Sequence, residues 1–339
     1  MDIVRVAIVG FGGIARTHYK SYKKLVEQGV PVKLVAVCDV DPERFVRKIG
    51  INLADDKNNA LTDDIHKYTS ADELLKNEEF DMVDICLPTY LHKEYAIKFM
   101  RAGKHVLSEK PMALSSADCE EMIAAHKETD KRFMVAQCIR FWPAYAYIKE
   151  CINNGKFGKI RHVFMERISA QPKWSFENWF EDTEKSGGCI LDMHLHDVDA
   201  VRFLLGDPYA VSATTQDTNV KWTVVNTRML YDDVMVSVIG SWGESATSKF
   251  KMAYRIRFEK ASILFDAGVA TVYPDEGEPY VLELPADDGY VEELRYMVDL
   301  VMNPEKENDI CTPESTCESV RVIEKLRESA ANDGENIKM

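Results

Sequence analysis

The first 140 residues alternate short apolar runs with amphipathic stretches, and this alternation narrows the fold more than any other feature of the chain. Runs at 3–9, 32–39, 82–87, 105–108 and 133–138 are rich in Val, Ile and Leu and nearly unbroken, as strands buried on both faces must be. Between them, 14–28, 41–49, 93–102 and 115–129 carry helical spacing, the third closed by Gly103. Tyr68 begins a minor strand and 71–76 a short helix. Strands alternating with helices at these lengths predict a doubly wound parallel sheet covered on two faces.

The rhythm changes near Arg140. Residues 143–153 read as a helix ended by Asn154-Gly155, 160–168 alternate as a half-buried strand, and 188–205 read as one helix. From 209 to 284 come strand-like segments with turn signals, such as 234–239, 254–259 and 262–265, which predict a mostly antiparallel sheet. A last helix, 313–330, has Thr312 as N-cap and Pro313 at its first position. A chain of 339 residues has the length of two domains.

Charge and cysteine usage exclude several classes. Lys plus Arg number 42 and Asp plus Glu 56, a net charge of −14, and no basic run offers a face for phosphates, so nucleic acid is not an expected partner. No stretch approaches the ~20 apolar residues that span a bilayer, and the segment Met1-Asp-Ile-Val-Arg5 leads straight into a strand. The eight cysteines form no C-x-x-C pair and mostly sit in apolar runs, as buried thiols of a cytoplasmic protein do.

The segment Val6-Ala-Ile-Val-Gly10-Phe11-Gly12-Gly13-Ile14-Ala15 leaves a strand, opens a helix and fits G-x-G-x-x-[GA]. Gly10 permits the turn, Gly12 lets backbone approach a pyrophosphate, and Ala15 lets the helix pack close. Free N–H groups at the helix start then meet the phosphates. Asp39 ends the second strand, where a carboxylate accepts from ribose hydroxyls and repels a 2′-phosphate, favouring NAD; Arg44 nearby leaves NADP open.

Two further segments are Cys86-Leu-Pro88-Thr89-Tyr-Leu-His92 with Gly103-Lys-His-Val-Leu-Ser-Glu109-Lys110-Pro111, and Ser186-Gly187-Gly188-Cys-Ile-Leu-Asp192-Met-His194-Leu-His196-Asp197-Val-Asp199. With the glycine turn they resemble the glucose–fructose oxidoreductase/inositol dehydrogenase/rhizopine-catabolism (Gfo/Idh/MocA) family, in register from about residue 3 to 206 and more loosely beyond. The resemblance implies an N-terminal Rossmann domain, 1–125, and a C-terminal α+β domain, 126–339, with a large, mostly antiparallel open sheet; the last helix is free to pack back on the first domain. It implies NAD(P)-dependent oxidoreduction of sugars, inositols or related polyols, and a homodimer or homotetramer formed through that sheet. It also suggests cofactor contacts for Pro88, Thr89, His92, Glu109 and Lys110, and Arg140 is expected to face the cofactor or the domain junction.

Hydride transfer from a secondary alcohol needs the carbon about 3–3.5 Å from the acceptor, a base for the hydroxyl proton, and a donor at the oxygen. Lys110, which the resemblance puts beside both nicotinamide and substrate, is assigned to the oxygen. On one continuous helix Asp192, His196 and Asp199 share a face, which assigns His196 as general base, Asp192 as its partner, and Asp199 to the substrate. The reverse assignment, with the roles of Lys110 and His196 exchanged, is the alternative. His194 and His196, two apart, point away from each other, and this hydride chemistry requires no metal, so none is assigned. Trp174, in an aromatic stretch with Phe176 and Trp179, offers a face for a sugar ring. The same residues serve a keto-sugar or cyclic-ketone reductase; a non-catalytic NAD(P)-binding regulator is the remaining alternative.

Overall fold

The computed structural model describes residues 2–46, 61–218 and 220–339, which divide into two compact units. The first comprises Met1–Cys138, Trp174–Trp179 and Asp287–Cys317; the second comprises Ile139–Lys173, Phe180–Ala286 and Glu318–Met339. The boundary thus lies past the expected residue 125, because the strand at 133–136 belongs to the first sheet.

The first unit is built on six parallel strands: β1 (Val4–Val9), β2 (Val32–Cys38), β3 (His66–Tyr68), β4 (Met82–Ile85), β5 (His105–Glu109) and β6 (Phe133–Ala136). Their order, β3-β2-β1-β4-β5-β6, reverses direction of travel at β1, so the crevice at the carboxyl ends of β1 and β4 is the switch point where such sheets take ligands. The helices are α1 (Gly13–Glu27), α2 (Ala71–Asn77), α3 (His92–Arg101) and α4 (Ser116–Lys127). Ser70 and Ser115 cap α2 and α4, accepting from Asp72 N–H and Asp118 N–H, each at 3.2 Å. The expected helix at 41–49 is a short 3₁₀ turn, Pro42–Phe45, within the described residues; 47–49 lie outside them.

The second unit contains α5 (Cys138–Phe141, whose first residue closes the first unit), α6 (Pro143–Asn153), β7 (Ile160–Ile168), α7 (Thr183–Ser186), α8 (Gly188–Asp192) and α9 (Leu195–Leu205). Strands β8 (Ala210–Gln216), β9 (Val224–Leu230), β10 (Met235–Ser241), β11 (Lys251–Phe258), β12 (Ala261–Asp266), β13 (Val269–Pro274) and β14 (Tyr280–Val281) follow. With β15 (Ile337–Lys338) they form a nine-stranded sheet, β14-β13-β12-β11-β7-β10-β9-β8-β15, parallel only where β10 meets β7. Helices α8 and α9 lie on strands of this sheet. Its other face alternates charge with exposed apolar side chains, among them Phe164, Met235 and Ile239.

One helix escaped the sequence reading: α10 (Gly289–Met302) belongs to the first unit and packs on α1. Asp288 caps it, accepting from Val291 N–H at 3.1 Å, and Val291, Leu294, Met297, Val298 and Val301 form its buried stripe. The last helix, α11 (Pro313–Ala331), gives residues 313–317 to the first unit, where Thr316 Oγ1 lies 3.7 Å from Met112 Sδ.

Candidate active site

The turn after β1 has the form a dinucleotide needs. Gly10 sits at φ +85°, and a Cβ there would meet the Cys86 carbonyl oxygen at 2.7 Å, so only glycine fits. A Cβ on Gly12 would meet nothing within 4 Å, and no side chain caps the start of α1. Open space therefore faces the helix N-terminus, the cradle that a pyrophosphate fills. Asp39 braces this turn: its Oδ2 accepts from Phe11 N–H at 2.7 Å and its Oδ1 from Asp41 N–H at 2.9 Å. Each oxygen retains a lone pair for a ribose hydroxyl. Arg44 has its Nε 3.5 Å from the Asp41 carboxylate, and its guanidinium lies over the Phe176 ring at 5.3 Å. The stretch Trp174–Trp179 belongs to the first unit, with Phe176 against Arg44.

Thr89 and His92 follow β4 and are buried. His92 Nδ1 lies 2.8 Å from the Pro111 carbonyl oxygen, and Nε2 lies 2.8 Å from that of Leu87. The ring is a strut between two loops, not the cofactor contact the resemblance suggested. Burial lowers its pKa against the pull of those carbonyls.

Lys110 stands one residue past β5, half-buried, with its backbone N–H donating to Glu109 Oε2 at 3.0 Å. Glu109 faces inward rather than toward a cofactor. Its Oε1 lies 3.1 Å from His18 Nε2, while His18 Nδ1 lies 2.8 Å from Asp84 Oδ2. Glu293, from α10, brings Oε1 to 3.7 Å from His18 Nε2, and Cys86 Sγ lies 3.5 Å from Asp84 Oδ1. The sequence reading missed this fully buried cluster. Its signals were a histidine on the buried face of α1, an aspartate inside a buried strand, and the unread helix α10. Among the described residues, the ligand-type atoms of His18, Asp84 and Cys86, and those of His18, Glu109 and Glu293, each lie within 4.8 Å of one another.

In the second unit the expected polar stripe comes apart. The chain breaks between α8 and α9 at Met193 and His194, whose N–H groups both reach the Cys189 carbonyl, so Asp192 and His196 stand on different helices. Gly187 and Gly188, at φ +73° and +71°, form the turn from α7 into α8, and a Cβ on Gly188 would meet the Lys221 carbonyl at 2.9 Å. Burial then sorts the residues. His194 is buried with Nε2 2.8 Å from Thr227 Oγ1, and burial, with Arg167 nearby, pushes its pKa down to about 3. Asp197 takes Arg167 through Nε and Nη2 at 3.0 and 2.8 Å. Asp199 takes Arg140 the same way at 2.8 and 2.7 Å and accepts from Ser319 Oγ at 2.6 Å. Asp199 and Arg140 thus form an interior ion pair and not, as expected, a substrate contact and a cofactor contact. Asp192 and His196 alone of these five, Asp192 to Asp199, are half-buried.

A glycine turn at the switch point, an acid after β2 and a lysine after β5 define a dinucleotide-dependent oxidoreductase fold joined to a second α/β unit. The profile described as "Oxidoreductase family, NAD-binding Rossmann fold" matches residues 4–137, and the GFO/IDH/MocA C-terminal domain matches 145–264. The chain belongs to the GFO/IDH/MocA oxidoreductase family, and its first unit is that family's NAD-binding domain. It is 32% identical over 206 residues to the 2,7-anhydro-N-acetylneuraminate hydratase of Mediterraneibacter gnavus, covering 61% of this chain and 50% of that one. It is 30% identical over 209 residues to the myo-inositol 2-dehydrogenase of Thermotoga maritima, 60% and 55% of the two chains. These matches span about half the length of each relative. An oxidoreductase from Agrobacterium radiobacter, solved with NAD⁺, L-tartaric acid and magnesium, shares the fold at a TM-score of 0.81 and 19% identity, over 99% of this chain and 98% of that one.

Proposed function

We propose that the protein is an NAD-dependent dehydrogenase acting on a secondary alcohol of a sugar, inositol or related polyol. The observation that carries this reading is Lys110, held one residue past β5 at the same sheet edge as the glycine turn and Asp39. Bound NAD⁺ supplies the hydride acceptor on its nicotinamide ring. Gly10–Gly12 and the α1 N-terminus hold the pyrophosphate, and Asp39 accepts from the ribose hydroxyls. Lys110 donates to the substrate oxygen and stabilises the negative charge that develops there. His196 takes the hydroxyl proton, and Asp192 orients the substrate or the imidazole. Exchange of the Lys110 and His196 roles is decided by which variant removes the basic limb of the pH–rate profile. A reductase of the corresponding ketone uses the same groups in reverse.

The eight buried, unbridged thiols support a reducing cytoplasm. No helix among the described residues is long and apolar enough to cross a membrane. The exposed apolar side chains on the second sheet support a homodimer or homotetramer through that face.

A screen of inositols, aldoses and sugar acids with NAD⁺, repeated with NADP⁺ and with ketones plus NADH, tests the reading. NADH formation with at least one cyclic polyol or sugar and a preference for NAD⁺ is expected. Because one relative is a hydratase, the screen also follows substrate consumption without net NADH. Substrate conversion that leaves lyase or hydratase products alone would overturn the dehydrogenase assignment.

A further inference from the structure

We infer that His18, carrying a proton on each ring nitrogen, is a positioning residue: it fixes Glu109, and through Glu109 the backbone of Lys110. The inference rests on the role proposed for Lys110. All the groups involved lie in the first unit.

His18 Nδ1 faces the Asp84 carboxylate at 2.8 Å, and Nε2 faces Glu109 at 3.1 Å and Glu293 at 3.7 Å. A neutral imidazole has one N–H and one lone pair, and here whichever nitrogen kept the lone pair would have a carboxylate oxygen within 3.1 Å of it. Protonating both nitrogens removes that conflict. The Glu109 contact is an ion pair off the N–H axis, so it holds by charge more than by direction. Glu109 spends its second oxygen on Lys110 N–H at 3.0 Å. Asp84, His18, Glu109 and the Lys110 amide therefore form one line from the middle of the sheet to its carboxyl edge.

Other titratable groups face this line from each element around it: Tyr22 on α1, Cys86 after β4, His92 on α3, Lys110 after β5, and Asp288, Tyr290 and Glu293 at and on α10. Burial opposes the His18 charge, but Asp84 and Cys86 outweigh it and hold its pKa well above the usual histidine range. Burial likewise raises Glu109, but His18 and Lys110 outweigh it and keep this carboxyl below its ordinary value. Glu293 has neither oxygen hydrogen-bonded, and burial drives it to its neutral, protonated form. One imidazolium thus serves two carboxylates, Asp84 and Glu109.

The test uses the full chain with the polyol it turns over. In His18→Gln, Glu109 loses its cation and takes up a proton near neutral pH. Activity is then expected to fall roughly tenfold for each pH unit below the new Glu109 pKa, and to recover as pH rises toward 9, with the KM for the polyol little changed. Glu109→Gln is expected to be impaired equally at every pH, and the double variant to match it. A His18→Gln loss that is the same at every pH, or that adds to that of Glu109→Gln, would overturn the inference. Two readouts need no turnover. NADH affinity is expected to be flat from pH 6 to 9 in the unsubstituted protein but weaker at the acid end in His18→Gln. Histidine ring NMR of the unsubstituted protein should show a buried imidazolium persisting at pH 8.5; a neutral ring for every buried histidine there sinks the proposal even if His18→Gln does not fold. Failure of all polyols to react, with these two results intact, refutes the dehydrogenase reading and not the His18–Glu109 link.

Discussion

At the scale of single residues, burial separates chemistry from architecture. Lys110, Asp192 and His196 remain half-buried, whereas Asp197 and Asp199 are each consumed by an arginine. Lys110→Met and His196→Ala are each expected to lower kcat by about 10²–10⁴-fold, with NADH affinity near that of the parent in His196→Ala and weakened in Lys110→Met, as read by fluorescence titration and steady-state kinetics. Asp197→Asn touches no substrate in this scheme. It leaves the Arg167 charge under-compensated in the interior and is expected to cost up to about 3–5 kcal/mol of stability by denaturant unfolding. The buried cluster sets a pH dependence. His18 and Glu293 both bind protons more tightly folded than unfolded, so their stabilising contribution is complete at acid pH and is lost as pH rises through their folded pKa values. Glu293→Gln removes one of these sites, so its Tm relative to the parent should climb between pH 5 and 9; a constant difference in scanning calorimetry would contradict the assignment. The glycine turn and Lys110 were legible in the sequence because local spacing defines them. The partners of Asp197 and Asp199 were not, because Arg167 and Arg140 lie far off in the chain and only the folded sheet and helices bring them in.

At the scale of elements, the parallel sheet was readable because strands covered on both faces must be continuously apolar. The errors came where a period fails. Residues 188–205 keep helical spacing through the break at Met193 and His194, so a face counted along the sequence was not a face in space. Helix α10 was missed although Asp288 and a clear apolar stripe announce it, and with it went Glu293. Close packing between elements yields a further expected outcome. Gly10→Ala must hold φ near +85° with its Cβ against the Cys86 carbonyl, so it should cost about 1–3 kcal/mol and weaken NADH binding together. Thermal melts with and without NADH measure both losses. Gly240, on β10, is tight for another reason: a Cβ there would fall 2.7 Å from His194 Nδ1, so the strand and the residue at the helix break are fitted to each other.

At the scale of the whole molecule, the open face of the nine-stranded sheet carries Phe164, Met235 and Ile239 in exposed positions on the neighbouring strands β7 and β10. If this face joins copies, Ile239→Asp should shift the protein to a smaller species in light scattering at micromolar concentration while each unit stays folded; an unchanged mass would rule that face out. A different consequence follows from the way the chain composes its first unit. Its sheet is complete by residue 136, yet α10, which packs on α1 and supplies Glu293, arrives only at 289–302. During synthesis, the half that takes up NAD therefore waits, with one flank of α1 uncovered, while some 150 residues of the other unit leave the ribosome. A fragment stopped at residue 138 would keep the glycine turn but lose that covering helix, and should be more prone to aggregate than the full-length chain.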